Sequence, residues 1–331
     1  MIVVTGATGL LGNNVVRRFL ARGERVRVLV RDPASPALRG LAVETVVGDV
    51  TRRSDVDRAL AGASLVVHAA AVVRIGRRDL DELRRVNVGG TENVARACLR
   101  GGVRLVHVSS VDALGWGTLE APGHEESAPT PDHGIAYVRS KREAFALVCD
   151  LVAQGLDARI VHPAFMLGPN DWRPSSGRLV VEAVRLPWLP APPGGNDFCH
   201  VDDVVSGVIA AAERGTRGRD YVLGGAHHSY ASAYTAFRRA AGRQSRAWSL
   251  PRPALMAAGW LGDLAGAVTG SEPAVNSGAI AASCHEHHFD DARARRELGY
   301  RARPLTDAAR DAVNWFVERG VLSRRGLHHT R

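Results

Sequence analysis

Tyr137 and Lys141 stand four residues apart in Tyr137-Val138-Arg139-Ser140-Lys141. Lys141 is the single lysine among 43 Lys and Arg residues. On a helix, positions i and i+4 share one face, so a phenol and an ammonium would meet a bound ligand together. The cation favours the phenolate, which predicts a tyrosine pKa lowered toward the working pH. Such a phenol passes a proton to or from a carbonyl or alcohol oxygen. The ammonium can also hold ribose hydroxyls. It is compact with three rotatable donors, and a wide, planar guanidinium does not replace it. Codon bias explains the many arginines but not where the one lysine falls. A serine at the edge of a sheet would complete the set by hydrogen-bonding the substrate oxygen, and Ser109-Ser110 closes a strand-like run.

A second pattern carries a cofactor. Thr5-Gly6-Ala7-Thr8-Gly9-Leu10-Leu11-Gly12 lies between a strand-like run and a helical one. The first glycine permits a tight turn, the second lets the backbone approach a pyrophosphate, and the third allows close helix–strand packing. The helix N-terminus adds amides and the positive end of its dipole. The strand before and the helix after are the context that gives the motif meaning. The second strand run ends at Arg31, followed by Asp32-Pro33. An arginine there pairs with a ribose 2′-phosphate, whereas a carboxylate binds the 2′-hydroxyl. NADP(H) is therefore expected over NAD(H), with Asp32 the residue that argues the other way. Asp49-Val50, after the third run, suits an adenine contact in which the carboxylate accepts from the exocyclic amine. Its plainer reading is an aspartate flanking a helix.

These residues need a scaffold. Strand patterns run from Ile2 to Ala7, Arg25 to Arg31, Val43 to Asp49, Leu65 to Ala70, Arg104 to Ser109 and Ala158 to Pro163. They are nearly continuous Val/Leu/Ile runs, as in a sheet buried on both faces. Helical patterns intervene from Leu10 to Arg22, Ser54 to Ala61, Leu80 to Arg100 and Tyr137 to Gln154. Alternation of this kind predicts an α/β fold with a doubly wound parallel sheet, and ligands along the strand C-termini. Residues 169–198 are rich in Pro, Gly and Trp and read as a loop-bearing insertion. Further helices are expected at His200 to Arg214, Tyr230 to Ala241, Ala254 to Val268, Asp290 to Leu298 and Leu305 to Arg319, with a strand at Arg219 to Leu223. The division expected is a dinucleotide-binding domain over 1–168, with 199–225 returning to it. A smaller, mostly helical substrate lobe takes 169–198 and 226–322, and 323–331 form a frayed tail.

Composition bounds the rest. The 331 residues are 45% hydrophobic and 23% charged, with net charge +9, as in a soluble globular chain. No apolar run reaches the ~18 residues of a membrane span, and the N-terminus reads as a strand rather than a signal peptide. Pro253 to Gly270, with Trp260 and Leu261, fits a membrane-surface helix, but its glycines and short length favour substrate-lobe core or a lid. The arginines are dispersed and lack interleaved aromatics, which speaks against nucleic acid. Cys98, Cys149, Cys199 and Cys284 have no CxxC spacing, so a reduced, cytoplasmic chain is expected. His285-Glu286-His287-His288 invites a metal, but no other ligand spacing supports one, and none is expected.

Together these segments resemble the extended short-chain dehydrogenase/reductase family. The resemblance rests on TGATGLLG at 5–12, GDV at 48–50, HAAA at 68–71, NVGGTENV at 87–94, VSS at 108–110, YVRSK at 137–141, HVDD at 200–203 and ELGY at 297–300. It implies Tyr137 as acid/base, Lys141 as its partner and Ser110, five residues before Gly115, as the orienting serine with Ser109 beside it. It also implies the backbone of Ala69, Ala70 and Ala71 beside the adenine ribose. Pro163 and Ala164, followed by Phe165, would lie by the nicotinamide amide. A homodimer through helices 80–100 and 137–154 is implied too.

The phrase from His162 to Pro169 and the LVRDP at strand two are closer to dihydroflavonol reductases and 3β-hydroxysteroid dehydrogenases than to nucleotide-sugar epimerases. Where plant dihydroflavonol reductases carry an Asn for flavonoid hydroxyls this chain has Gly115, which points away from a flavonoid. The expected pocket wall of Val72, Val73, Asp112, Phe165, Met166 and Trp172 is mostly apolar and suits a lipophilic ketone. The leading expectation is thus an NADP(H)-dependent reductase acting on a small molecule. The alternatives are an NAD-retaining nucleotide-sugar epimerase or dehydratase, and a dinucleotide sensor without catalysis.

Overall fold

The computed structural model describes residues 1–323 apart from 77, 187, 189, 270–272 and 274. Most of the expected tail, 324–331, lies outside the described residues. Six strands of the first half are β1 (Ile2–Thr5), β2 (Val26–Val30), β3 (Glu44–Val47), β4 (Leu65–His68), β5 (Arg104–Val108) and β6 (Ala158–Pro163). Four more follow as β7 (Phe165–Leu167), β8 (Gly195–His200), β9 (Asp220–Leu223) and β10 (Ala226–Ser229), and β11 is the pair Glu286–His287. The main sheet has the order β3-β2-β1-β4-β5-β6-β9, and every pairing in it is parallel. This is the doubly wound α/β arrangement, in which the strand C-termini share one edge. All four residues of β1 are buried, whereas β3 at the margin is mostly exposed.

Each face of the sheet carries its own apolar layer. Leu11, Val15 and Phe19 of helix Leu10–Ala21 pack with Val204, Val205 and Val208 of helix Val201–Arg214 on one side. Val56, Val94, Cys98 and Leu151, from three other helices, fill the opposite side. The expected helix from Leu80 to Arg100 contains an irregularity: Leu80–Leu83 is α-helical, Arg84–Gly89 forms a π turn, and Gly90–Gly101 resumes the α-helix. A π turn inserts one residue and re-aims side chains near functional sites. Here it turns Asn87 inward, where it holds Val72 O at 3.0 Å and Ser140 Oγ at 3.0 Å.

Residues 169–198, read as a loop-bearing insertion, include helix Gly177–Arg185 and the start of strand β8. The Pro, Gly and Trp content hid an amphipathic stretch whose Val180 and Val184 are buried in the lobe core with Phe198, Phe237 and Phe316. The Asp171 carboxylate starts that helix by accepting the Gly177 amide at 3.0 Å. A small second sheet, centred on β8 with β7, β10 and β11 around it, supports the lobe. Helix Ala292–Leu298 packs on Val201–Arg214, and its Ala294 and Leu298 join the main core with Tyr300.

Candidate active site

The glycine turn sits where β1 meets the sheet edge. Gly6 has φ +73, and a Cβ there would lie 2.6 Å from the Ala69 backbone. At Gly12 a Cβ would come within 2.2 Å of Gly6 O. Both positions are closed to any side chain. Gly9 differs: its backbone is extended and a Cβ would meet only Gly6 O, at 3.4 Å. The open face of the turn is therefore at Gly9. Leu10 and Leu11 in the first helical turn are buried in the core. Thr8 is half-buried beside them.

Beneath the turn, Thr5 Oγ1 meets His68 Nδ1 at 2.7 Å, and His68 Nε2 meets Thr91 Oγ1 at 3.0 Å. Ala69 N donates to Thr5 O at 3.3 Å and Ala70 N to Thr5 Oγ1 at 3.4 Å. Ala71, one residue further, is exposed. The segment expected beside the adenine ribose is thus tied to β1.

Arg31 is exposed just past β2. The neighbouring Asp32 carboxylate accepts the Ala34 amide at 2.9 Å, so it is engaged in its own turn. Asp49 accepts the Thr51 amide at 2.9 Å. Burial pushes its pKa up, but the Thr51 hydrogen bonds and the nearby Arg31 and Arg85 outweigh this and hold it below the ordinary value. Val50 is buried against Gly90, and its carbonyl accepts Asn93 Nδ2 at 3.0 Å.

Tyr137 and Lys141 lie on helix Ala136–Ala153. Asp132 sets the start of that helix: its carboxylate accepts Gly134 N at 2.7 Å and its carbonyl accepts Ile135 N at 2.8 Å. Ser140 Oγ donates back to Tyr137 O at 2.8 Å, and Asn87 holds Ser140 in turn. Both predicted side chains are buried, Tyr137 8% and Lys141 3% exposed. Lys141 Nζ donates to Val108 O at 2.9 Å, at the end of β5.

Ser110 follows directly and its hydroxyl donates to Asp112 Oδ2 at 2.8 Å. His162 Nδ1 meets Ser110 O at 3.1 Å, fixing the serine backbone. Ser109 N donates to Val161 O at 2.8 Å, while its buried hydroxyl has no partner among the described residues. The open backbone at Gly9 is where the pyrophosphate of a bound dinucleotide would fit. Pro163 ends β6, Ala164 N donates to Leu223 O at 3.1 Å, and Phe165 opens β7 edge-on to Phe198.

The protonation pattern departs from expectation. Burial, and then the Asp112 charge, push the Tyr137 phenol up, while Ser110 pulls it down. The lowered phenol predicted from the Tyr–Lys spacing is not found, because desolvation of the anion outweighs the favourable contacts. Lys141 is itself pulled down to about 8 by burial, with Asp112 opposing. The ammonium's field is felt at His68, lowered to about 3 by burial and then Lys141, and at His107, lowered for the same reasons.

Asp112 was read from the sequence only as pocket wall. Its Ser-x-Asp spacing, on a 3-10 turn capped by Ser110, is the signal that would have placed it at the serine. His285 and His287 do not gather as metal ligands: with His133 they surround the Trp116 ring, His287 at 4.8 Å and His133 at 5.5 Å between centroids. His288 turns away to Asp197, as does His227, and groups of all three come within 4.8 Å of one another. Each imidazole sets Nδ1 against the same carboxylate oxygen, and the Phe289 amide donates to the other at 3.0 Å. The trio accounts for itself as a satisfied buried carboxylate. Trp172 packs on Trp315 under the Arg319 guanidinium, tied to the last helix. An open groove of about 800 Å³ lies on the lobe between Thr235, Arg239, Arg246 and Arg310 and touches no predicted catalytic residue.

Comparison with known proteins agrees with this geometry. The profile described as "NAD dependent epimerase/dehydratase family" matches residues 2–224. The chain is 35% identical to "Sterol demethylase protein B" of Methylococcus capsulatus, over 97% of this chain and 99% of that one. It is 32% identical to "4-hydroxy-2-methyl-3-oxo-4-farnesyl-3,4-dihydroquinoline-1-oxide ketoreductase" of Stigmatella aurantiaca, over 94% of each chain. The crystal structure of gox2253 superposes with a TM-score of 0.84 at 33% identity, covering 98% of this chain and 99% of the other.

Proposed function

The chain belongs to the NAD dependent epimerase/dehydratase family, the extended short-chain dehydrogenases/reductases, and from that premise we propose that it reduces a ketone or aldehyde of a lipophilic small molecule with NADPH, or oxidises the alcohol in reverse. The coarser description, a nicotinamide-dependent oxidoreductase, follows from the family and its reductase relatives. The observation that carries the finer reading is the buried set of Ser110, Tyr137 and Lys141 at the sheet edge.

Bound along that edge, the nicotinamide would supply hydride exchange with a carbonyl carbon. The turn from Thr5 to Gly12 would hold the pyrophosphate, with its open side at Gly9. Arg31 faces the 2′-phosphate, and the use of Asp32 within its own turn supports this choice. Asp49 receives the adenine amine. Lys141 holds ribose hydroxyls once it leaves Val108 O. Ser110 orients the substrate oxygen once its hydroxyl turns from Asp112. Tyr137, kept protonated at neutral pH by burial and Asp112, gives its proton to that oxygen as negative charge develops on it. The sterol and farnesyl compounds in the relatives' names support a lipophilic substrate.

The test is the nucleotide itself. NADP(H) released on denaturing the purified protein, together with net NADPH consumption on a lipophilic ketone, supports the reading. Tightly held NAD with no net consumption supports an epimerase or dehydratase instead.

A further inference from the structure

We infer that helix Arg252–Thr269, with Trp248 and Trp188 beside its start, is a docking face for an anionic lipid bilayer. This does not rest on the redox reading. Trp260, Leu261, Leu264 and Val268 are 62%, 68%, 64% and 82% exposed. They repeat at intervals of three, four and seven, so they form one outward stripe. The opposite face is built from glycines clamped onto the chain that follows. A Cβ at Gly259 would lie 2.9 Å from Ser277, and one at Gly262 would lie 1.9 Å from Val275 O. The helix is thus fixed with its large apolar residues outward. Its one carboxylate, Asp263, is turned inward and accepts the Ser277 amide at 3.1 Å.

Three of the six tryptophans, Trp188, Trp248 and Trp260, are at least half exposed. Trp188 and Trp248 belong to neighbouring segments, since Ala191 N donates to Trp248 O at 2.8 Å. Exposed indoles with an apolar body and a polar edge are what a bilayer interface collects. The charge matches. From Tyr221 to Gly262 there is no Asp or Glu, while the exposed Arg246 and Arg252 flank Trp248 where the helix begins. A second copy of this chain would bring the same positive charge to the face, which favours an anionic surface as the occupant. No described helix is long and apolar enough to cross a membrane, so the helix lies on the bilayer rather than through it.

The face is also close to the chemistry. Helix Ser277–Ser283, clamped beneath it, reaches the catalytic helix through Ala282, which packs on the cluster of Ile135, Tyr137 and Val138. Asn276 Nδ2 holds Ile75 O at 2.9 Å, and Val73, Ile75 and Val275 are exposed around that junction. A lipophilic molecule leaving the bilayer here would meet an apolar rim beside Tyr137.

The experiment is flotation of the full chain with phosphatidylcholine vesicles, with and without phosphatidylglycerol. The expected result is binding to the phosphatidylglycerol vesicles, weakened by salt, with a blue shift of tryptophan emission. The variant Trp260→Ser/Leu264→Ser/Val268→Ser, whose side chains are outside the core, should melt like the parent and bind at least ~10-fold more weakly. Arg246→Gln/Arg252→Gln should lose the preference for phosphatidylglycerol. Absence of parent binding, or equal binding by the triple variant, would overturn the inference. So would a parent dimer that the triple variant converts to monomer without vesicle binding, since a second copy would then cover the face.

Discussion

Ser110 gives its hydroxyl hydrogen to Asp112 at 2.8 Å, and its oxygen accepts the Asp112 amide at 3.2 Å. The same carboxylate raises the pKa of both Tyr137 and Lys141. Burial keeps the phenol protonated and the Asp112 charge adds to it, while at Lys141 the same charge opposes the lowering that burial causes.

Asp112→Asn tests that arrangement through the pH profile. In the cofactor-free parent, Lys141 is charged below about 8 and loses its proton above it, so kcat/KM for reduction should fall as pH rises through that region. Removing the negative charge lowers both pKa values, and the fall should begin at lower pH. An unmoved basic limb would show that Asp112 does not act on the pair.

Lys141→Arg substitutes the residue this chain uses at every other Lys/Arg position. The 3% exposed site sets Nζ on a single carbonyl, Val108 O, where a planar fork with five donors would be buried with one acceptor. A loss of kcat/KM on the order of 100-fold, about 2.7 kcal/mol, is expected. Activity equal to the parent at neutral pH would contradict the role given to the ammonium.

Two glycines of one turn should fail differently. Gly12→Ala drives a methyl into Gly6 O at 2.2 Å and should destabilise the fold by roughly 2 kcal/mol or more, read as a lower Tm. Gly9→Ala meets only Gly6 O at 3.4 Å, so Tm should stay close to the parent while dinucleotide affinity drops, as calorimetric titration would report. Equal behaviour of the two would remove Gly9 from the pyrophosphate cradle.

Arg31→Asp should reverse nucleotide preference. Loss of the cation and gain of a carboxylate weaken NADPH binding by roughly 10-fold or more relative to NADH. An unchanged ratio of the two dissociation constants would dismiss Arg31 as the 2′-phosphate partner.

The parallel sheet was legible because its strands are unbroken apolar runs, and β6 falls on the expected Ala158–Pro163. The Tyr137–Lys141 face was legible because helical spacing is local. The small sheet around β8 was not, since its pairings join residues near 166, 195, 226 and 286 that no local pattern connects. The π turn at Arg84–Gly89 was hidden inside a good helical period. The raised phenol was missed for a similar reason. Spacing predicts which charges meet, but burial of Tyr137 depends on Ile135, Val138 and Ala282 closing over it.

The most direct measurement is Tyr137→Phe, read by NADPH fluorescence titration and by turnover on the same preparation. With Tyr137 as the proton donor, turnover falls by about 1,000-fold or more while the NADPH dissociation constant stays within about threefold. Turnover close to that of the parent with NADPH still bound would contradict the account.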